Sequence, residues 1–268
     1  MKDLSIGKIQ KSLDFSISIT LLDTVSSTNT YLMNSKLEDP DSLSIVIARH
    51  QSDGYGRNKS KWISEYNAGI WMSIGTLIRK TKDISSLSLA ISAGLTEKLH
   101  LNGFTKIGLK WPNDFVCEGK KLGGILIETK PKDRNFMKTI VGIGLNVDLP
   151  DTLMKKEKFG LKPISLNSLK KGSFDASDLV ANLIYSVNST INKYKYSNKY
   201  KYSGFDAFAR IWRKYDIYSG SYIQVKSNNQ KISGVNNGIN DQGALIINNE
   251  KGSHKIYSGT LIHSGSEG

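Results

Sequence analysis

The sequence predicts an α+β protein, with a mixed, mostly antiparallel sheet flanked by helices and a small β-barrel at the C-terminal end. First, the strand-like stretches up to residue 148 are mostly joined by hairpin turns rather than by helical crossovers. Second, residues 83–103 and 177–194 carry apolar side chains at helical spacing. Third, five short strands with tight turns follow residue 216, which is typical of a small barrel. We therefore predict one domain over residues 1–216 and a second over residues 217–268.

Composition limits the class of protein. The 37 Lys and Arg residues against 24 Asp and Glu residues give a net charge of +13. Such an excess can indicate a nucleic acid or an acidic partner, but the basic residues are spread along the chain, which favours compositional bias. The lone cysteine, Cys117, excludes an intramolecular disulfide and favours a reducing cytoplasm. We predict neither a membrane span nor a signal peptide, because the required apolar segments are absent.

Polar residues lie between the first predicted strand and the first predicted helix. Residues 14–25 alternate apolar and polar side chains, as in a half-buried strand. A helix over residues 28–37 follows, with Ser27, Thr28 and Asn29 at its start. Free backbone N–H groups and polar side chains at a helix start can bind an anion or a polar ligand. An ordinary helix cap explains the same residues, and caps are the more common case.

A glycine-rich loop follows the second predicted strand, a buried apolar run over residues 43–48. The loop spans residues 52–62 and contains Gly54, Gly56 and Arg57. Glycines let backbone N–H groups point at an anion, and an arginine can hold a phosphate or carboxylate with two hydrogen bonds. The loop is neither a Walker A motif nor a Rossmann fingerprint, and a mobile surface loop can have a similar sequence.

Residues 110–129 predict a β-hairpin with chemistry at one end. Pro112 ends the first strand, and a Glu-Gly-Lys turn precedes a second strand that contains two adjacent glycines. The glycines allow a ligand to approach the backbone closely. A phosphate or carboxylate ligand with a metal would suit the amide, carboxylate and ammonium groups of Asn113, Asp114 and Lys121. From spacing alone, a solvated surface hairpin is the more common explanation.

The remaining predicted elements have simpler patterns. They are, in order, a strand over residues 69–77, a helix over 83–103 with Asp83 or Ser85 as cap and Gly103 after its end, a strand over 138–148 that passes through Asn146, a loop-rich region over 149–176, a helix over 177–194 and a short helix over 204–215. Residues 194–202 interleave Tyr with Lys. This pattern allows stacking on single-stranded nucleic acid, although the solvated end of a helix is the more common explanation.

Five motifs occur in the order in which they occur in biotin protein ligases, so the chain resembles that family over roughly residues 15–265. The motifs are STN at 27–29, GYGRNKSKW at 54–62, KWPND at 110–114, KLGGILIE at 121–128 and GIGLNV at 142–147. The tail GINDQGALII…YSGTL is similar to the C-terminal barrel of the same family. The resemblance implies the class II synthetase-like catalytic fold of biotin and lipoate ligases, followed by an SH3-like barrel.

The resemblance also implies a two-step reaction and the residues that perform it. Biotin and ATP, with Mg²⁺, form biotinyl-5'-AMP, and the biotin then passes to a lysine of a carboxylase biotin-carrier domain. The implied catalytic residues are Lys121, Arg57 and Asp114. The implied biotin-binding residues are Ser27, Thr28, Asn29, Gln51, Gly54, Tyr55, Gly56, Arg57, Lys121 and Gly124. The implied ATP-binding residues are Arg57, Trp62, Lys110, Asn113, Lys121 and Asn146, with Mg²⁺ near Asn113 and Asn146.

The chain departs from the family pattern in its loop. The usual G-R-G-R-x-G reads GYGRNK, so Tyr55 replaces the first arginine and Lys59 the last glycine, which puts retention of the adenylate in question. We expect a monofunctional ligase without an N-terminal DNA-binding domain and without specific DNA binding, and an exposed edge strand leaves homodimer formation open. Two alternatives remain: a ligase for a related acid such as lipoate, and a non-catalytic nucleic-acid-binding relative.

Overall fold

The chain forms two β-sheets, as seen in a computed structural model that describes residues 4–80, 84–154, 161–169, 174–195, 205–228 and 230–262. The larger sheet has seven strands in the order β1-β2-β3-β7-β6-β5-β4. These strands are β1 Ile17–Val25, β2 Leu43–Gln51, β3 Gly69–Arg79, β4 Gly108–Lys110, β5 Asp114–Cys117, β6 Lys120–Pro131 and β7 Phe136–Asn146. Strands β1 and β2 pair in parallel, and the other neighbours in this sheet pair antiparallel. The predicted mixed, mostly antiparallel sheet is confirmed.

Long helices cover one face of the large sheet. They are α3 Leu87–Leu101, α6 Ala176–Lys195 and α7 Asp206–Tyr215. The short helix α1 Ile6–Lys11 packs beside α6. Their apolar side chains form the main core together with β3 residues such as Ile70, Met72 and Ile74. Helix α1 was not predicted because it is only six residues long, but Ser5 caps it and Ile9 is fully buried.

The boundaries of helix α3 differ from the prediction at its start. It begins at Leu87, after Ser86, whose side chain makes no capping hydrogen bond. Residues 81–83 lie outside the described part of the chain, so the proposed cap at Asp83 is not tested. The C-terminal prediction is confirmed: Asn102 is the C-cap, and Gly103 follows with φ of 90°, in the left-handed region that glycine favours.

Helix α2 Thr28–Asn34 packs on the opposite face of the sheet, against β2, β3 and β7. It ends three residues before the predicted end at residue 37. The ammonium group of Lys138, on β7, donates to the carbonyl oxygen of Met33 at 2.9 Å and so binds the unpaired C-terminal carbonyls of the helix. This long-range contact is one that a local sequence pattern does not indicate.

The hairpin over residues 110–129 forms as predicted. Strands β4 and β5 pair antiparallel, and β5 pairs with β6 through a tight turn at Glu118 and Gly119. Both turn residues have positive φ, 51° and 69°, which matches the right-handed twist of the flanking strands. The other edge of β6 pairs with β7 from Gly123 to Pro131, so the hairpin continues into the large sheet.

The C-terminal strands form a separate antiparallel sheet in the order β11-β10-β9-β8-β12. They are β8 Tyr222–Ser227, β9 Gln230–Ile239, β10 Leu245–Asn249, β11 Gly252–Ile256 and β12 Thr260–Ile262. Asp216 bridges to Leu109 of β4 just before this sheet begins. The boundary between domains at residues 216 and 217 remains a prediction, and residues 196–202 of the Tyr-Lys patch lie outside the described residues.

The region over residues 149–176 contains little regular structure in its described parts. It holds two single-turn helices, α4 Asp151–Met154 and α5 Leu166–Leu169. Between them, Pro163 bridges to Lys121, the Lys121 N–H donates to the Lys162 carbonyl at 2.8 Å, and the Ile164 N–H donates to the Lys121 carbonyl at 2.9 Å. This predicted loop therefore acts as an extra strand-like edge beside the start of β6.

Candidate active site

A cavity of about 480 Å³ lies on the face of the large sheet that carries α2. Its floor is β7, where two glycines point toward the cavity. A Cβ atom on Gly142 would lie 2.4 Å from the Asn29 side-chain oxygen, and one on Gly144 would lie 2.7 Å from the Trp62 ring. The GIG motif therefore leaves room for two cavity side chains that any larger residue would displace.

Neutral polar groups line one end of the cavity. The backbone N–H and the hydroxyl of Thr28 donate to the Gln51 side-chain oxygen at 2.9 and 3.0 Å. The Gln51 amide in turn donates to the Ser64 hydroxyl at 2.8 Å. The Ser73 hydroxyl, on β3, lies 2.7 Å from the Thr28 hydroxyl and 2.6 Å from the Asn29 side-chain oxygen. This connected network can recognise a polar, uncharged head group by shape and hydrogen bonding.

Charged groups line the other end of the cavity. The Lys121 ammonium forms an ion pair with Asp114 at 2.7 Å, and Arg57 and Lys110 lie in the same part of the cavity. Burial lowers the pKa of Lys110 and that of Arg57, and the nearby Asp114 partly opposes both shifts. Three cations against one carboxylate leave a local charge excess of two, because each Lys or Arg carries one positive charge. This end therefore suits an anionic ligand.

Arg57 also connects the cavity to the C-terminal sheet. Its guanidinium donates to the carbonyl oxygen of Gly259 at 3.0 Å, and Thr260 and Leu261 of β12 line the same cavity. The segment before β12 thus holds one end of the guanidinium, and within the described part of the chain the other N–H groups remain available to a ligand. The C-terminal sheet is therefore part of the wall of the candidate site.

The glycine-rich loop forms a compact turn over the cavity. The Gly56 N–H donates to the Ser60 carbonyl at 2.7 Å, and a short 3₁₀ turn spans Arg57–Lys59. Asn58 and Lys59 have φ values of 53° and 56°, in the left-handed region. Lys59 thus adopts, at some conformational cost, a backbone geometry that glycine adopts freely.

Trp62 closes the cavity beside the loop. Its ring packs edge-on against Trp71, with centroids 6.2 Å apart, and the Lys121 ammonium lies 5.4 Å from its centroid. Its indole N–H is buried and makes no hydrogen bond among the described residues. The Trp62 ring lines the cavity while its N–H is enclosed by protein, and a ring at this wall is compatible with its predicted place near an adenine ring.

The two asparagines that were predicted near phosphates and metal also have structural roles. The Asn113 amide nitrogen donates to the Ile125 carbonyl and so ties the hairpin end to β6. The Asn146 amide nitrogen donates to the Ile164 carbonyl at 3.1 Å and contacts the Lys121 carbonyl at 3.4 Å. Both amide nitrogens donate to backbone carbonyls, which fixes the orientation of each side chain, and the side-chain oxygen of each is the atom that can coordinate a metal.

The structure brings the predicted site residues together in one cavity, with one exception. The cavity is lined by Ser27, Thr28, Asn29, Gln51, Tyr55, Gly56, Arg57, Trp62, Lys110, Asn113, Asp114, Lys121, Gly124 and Asn146. Gly54 is the exception, because it lies at the base of the loop, where its carbonyl accepts from the Trp62 N–H at 2.8 Å. A Cβ there would lie 2.9 Å from the Trp62 carbonyl oxygen. Gly54 therefore supports the loop from behind rather than facing the cavity.

Sequence reasoning did not single out Glu128 or Leu261. Glu128 lies on β6, on the same face as Gly124, and accepts a hydrogen bond from the Asn29 amide at 2.9 Å. The sequence signal that could have identified Glu128 is its spacing. It lies four residues after Gly124 on a predicted strand, so both residues share one face of the sheet. Leu261 had no such signal, because it reaches the cavity only through the packing of the C-terminal sheet.

Two classes of feature are not found in the described part of the chain. No group of three or more His, Cys, Asp or Glu side chains is placed to bind a metal ion together. None of the described helices is long and apolar enough to cross a bilayer.

Taken together, the α+β fold and the cavity define a binding site for a ligand, or a pair of ligands, with a polar head and an anionic end. Comparison with known proteins agrees with this. Residues 21–146 match the sequence model of the Biotin/lipoate A/B protein ligase family, and residues 218–264 match that of the Biotin protein ligase C terminal domain. The chain belongs to the biotin protein ligase family, and it carries the catalytic and the C-terminal domains of that family.

Individual relatives have low sequence identity to this chain, but their alignments cover most of it. The bifunctional ligase/repressor BirA of Salmonella typhimurium is 26% identical over 246 residues, covering 91% of this chain and 73% of BirA. The biotin–[acetyl-CoA-carboxylase] ligase of Mycobacterium tuberculosis is 27% identical over 225 residues, covering 82% and 78%. The biotin protein ligase of Aquifex aeolicus, solved with biotin and ATP, superposes with a TM-score of 0.75 at 24% identity, covering 91% and 97%. That superposition confirms the fold.

Proposed function

We propose that the protein is an ATP-dependent biotin–protein ligase that forms biotinyl-5'-AMP and then transfers biotin to a lysine of a carboxylase biotin-carrier domain. The observation that carries the proposal is that one cavity contains both a neutral polar end, at Thr28 and Gln51, and a cationic end, at Arg57 and Lys121. Relatives named biotin–[acetyl-CoA-carboxylase] ligases support the substrate assignment.

The proposed binding mode follows the polarity of the cavity. The fused-ring head of biotin has an uncharged ureido group, which matches the hydrogen-bonding groups of Thr28, Asn29 and Gln51. Its aliphatic chain crosses from the neutral end of the cavity to the charged end, beside the Asn29 and Trp62 side chains that occupy the space over Gly142 and Gly144. The carboxylate then reaches Lys121, and the adenine of ATP lies near Trp62. The domain over residues 1–216 supplies most of this site.

In the first step, a carboxylate oxygen of biotin forms a bond to the α-phosphorus of ATP. The bond from this phosphorus to the bridging oxygen breaks, and pyrophosphate leaves with the electron pair. Both reactants are anions, so their approach requires cations that are already in place. Lys121, Arg57 and Lys110 supply this charge in a partly buried setting, where electrostatic interactions are stronger than in water.

In the second step, the acceptor lysine attacks the acyl carbon of the mixed anhydride and AMP leaves. The attacking amine must be neutral and correctly oriented, and it gives up a proton when the amide forms. Asp114 is the carboxylate next to Lys121, at 2.7 Å, and we assign it to orient Lys121 or the incoming amine. The loop over residues 54–61 would shield the reactive anhydride from water.

Mg²⁺ belongs to the proposal as the metal that accompanies ATP. Mg²⁺ is usually bound by one or two protein oxygens together with substrate phosphates and water. The side-chain oxygens of Asn113 and Asn146, and the carboxylate of Asp114, are the protein oxygens in the cavity that fit this donor set. When bound, the metal supplies charge neutralisation of the triphosphate.

The proposal includes the partners and the location. A carrier domain with an acidic surface would suit a ligase with a net charge of +13. Cytoplasmic ATP and a single buried thiol, Cys117, fit a cytoplasmic protein. The edge strand β1 offers unpaired backbone groups for a homodimer, and we assign no DNA-binding role to this catalytic unit.

The test is transfer of radiolabelled biotin to a generic biotin-carrier domain in the presence of MgATP. Label on the carrier that is lost without ATP is the expected result. The matching family also includes lipoate ligases, so pyrophosphate exchange is measured in parallel with biotin and with lipoate. Exchange that requires lipoate and ignores biotin would replace the proposed substrate, and absence of exchange with either acid would exclude the ligase function.

A further inference from the structure

We propose that Glu128 is a positioning residue that holds the glycine-rich loop over the cavity, by accepting a hydrogen bond from Tyr55. The Tyr55 hydroxyl donates to the Glu128 carboxylate at 2.8 Å. The Lys59 ammonium lies 3.8 Å from the other carboxylate oxygen and 3.8 Å from the centroid of the Tyr55 ring. From strand β6, Glu128 thus contacts the loop on both sides of Arg57, through Tyr55 before it and Lys59 after it.

The two loop residues that touch Glu128 are the two that depart from the family pattern. Tyr55 stands where the first arginine of G-R-G-R-x-G is usual, and Lys59 stands where the last glycine is usual. Lys59 keeps the left-handed backbone geometry that a glycine would adopt, with φ of 56°. In this chain, the side chains at both of these positions contact Glu128 on strand β6.

Of the two contacts, the one to Tyr55 is the stronger. The side chain of Lys59 is 74% exposed, so its ion pair is screened by water and contributes little. The side chain of Glu128 is only 27% exposed, and the Tyr55 hydroxyl also lies 3.3 Å from the Thr30 hydroxyl. A partly buried hydrogen bond to a charged acceptor is stronger than one between neutral groups.

Glu128 also connects the loop to the neutral end of the cavity. The Asn29 amide donates to the carboxylate oxygen that also accepts from Tyr55, at 2.9 Å. Asn29 is itself fixed by Ser73 and packed against Gly142. One carboxylate therefore holds both a loop residue and a residue of the proposed head-group site, so the position of the loop depends on the packing of that site.

The first experiment tests the attachment without any ligand. Hydrogen exchange of the loop peptide over residues 54–61 is compared in the wild type, Glu128→Gln, Tyr55→Phe and the double variant. Loss of a hydrogen bond to a charged group predicts loop exchange about tenfold faster in each single variant. Glu128→Gln removes the charge of the acceptor and Tyr55→Phe removes the donor. Because both changes act on the same bond, the double variant is expected to exchange no faster than the faster single variant.

The matched control is Glu118→Gln. Glu118 lies in the turn of the same hairpin and pairs with Lys106 at 2.9 Å, far from the loop. The Glu118→Gln variant loses the same single negative charge as Glu128→Gln, and it should leave loop exchange and ligation unchanged. Loop exchange within twofold of the wild type in Glu128→Gln would overturn the proposal. Faster exchange in Glu128→Gln but not in Tyr55→Phe would also overturn it, because Glu128 would then act through Asn29 alone.

The second experiment rests on the proposed function and is read separately. If the loop retains biotinyl-5'-AMP, Glu128→Gln and Tyr55→Phe should release adenylate about tenfold faster, with a smaller change in the rate of pyrophosphate exchange. A wild type that forms no adenylate would refute the proposed function while leaving the exchange result intact. Faster loop exchange with unchanged adenylate release would show that the attachment does not position the loop for the reaction, and would overturn this part of the proposal.

Discussion

Replacement of Gly142 by alanine tests the idea that the glycine floor of β7 shapes the neutral end of the cavity. The added Cβ would lie 2.4 Å from the side-chain oxygen of Asn29, whereas ordinary contact begins at 3.4 Å. Asn29 must therefore move by about 1 Å, a displacement that an overpacked site resists. Such a shift stretches its hydrogen bonds to Ser73 and Glu128, which now measure 2.6 and 2.9 Å.

The magnitude follows from those two bonds. A buried hydrogen bond contributes about 1 kcal/mol, and one to a charged group about 1.5–3 kcal/mol. We expect Gly142→Ala to lower the free energy of unfolding by about 2–4 kcal/mol and to weaken biotin binding by at least about tenfold. The fold should survive, because the alanine methyl group faces the cavity rather than the helix-covered core.

Titration calorimetry with biotin and chemical denaturation measure the two effects. Gly7→Ala is the control, since a Cβ on Gly7, in helix α1, meets no atom within 4 Å. That variant should bind biotin like the wild type. Wild-type biotin affinity in Gly142→Ala would refute the reasoning, because it would show that Asn29 is not needed where the structure places it.

Three further predictions concern the cationic end. Lys121→Ala should abolish most pyrophosphate exchange without unfolding, because it removes the cation paired with Asp114; exchange at the wild-type rate would contradict its role. Arg57→Gly should release adenylate and label bystander lysines, because the guanidinium contact to Gly259 and to the ligand is lost; labelling confined to the carrier would count against this. Burial lowers the pKa of Lys110 below its usual 10.5, so its charge is lost at lower pH than in a free lysine. Pyrophosphate exchange should therefore fall as the pH rises through that lowered pKa, and Lys110→Arg should move the fall to higher pH; identical profiles would exclude Lys110 as the titrating group.

Local sequence determined the elements and most of the residues at the site. The hairpin at residues 110–129 was predictable because its turn needs residues that tolerate positive φ, and Gly119 provides one. Gly103 ends helix α3 for a similar local reason. The motifs that carry the family resemblance are also short and local, and the resemblance assigned all the site residues, Gly54 included, to one site. The structure places all of them except Gly54 along one cavity.

The tertiary structure alone decided how those pieces meet. Strand β7 lies between β3 and β6, which places Gly142 and Gly144 under Asn29 and Trp62. The contact of Arg57 with Gly259 joins residues that are 202 positions apart in the chain. Such contacts depend on which surfaces pack together, and neither hydrophobic period nor turn chemistry encodes that choice.

Glu128 shows the same division on a single residue. Its position on the cavity face of β6 follows from the alternation of side chains along a strand, which the sequence determines. Its partners Tyr55 and Asn29 lie 73 and 99 residues away and come from a loop and a helix start. Only the packing of α2 and the loop against the same face of the sheet brings the three groups within hydrogen-bond distance.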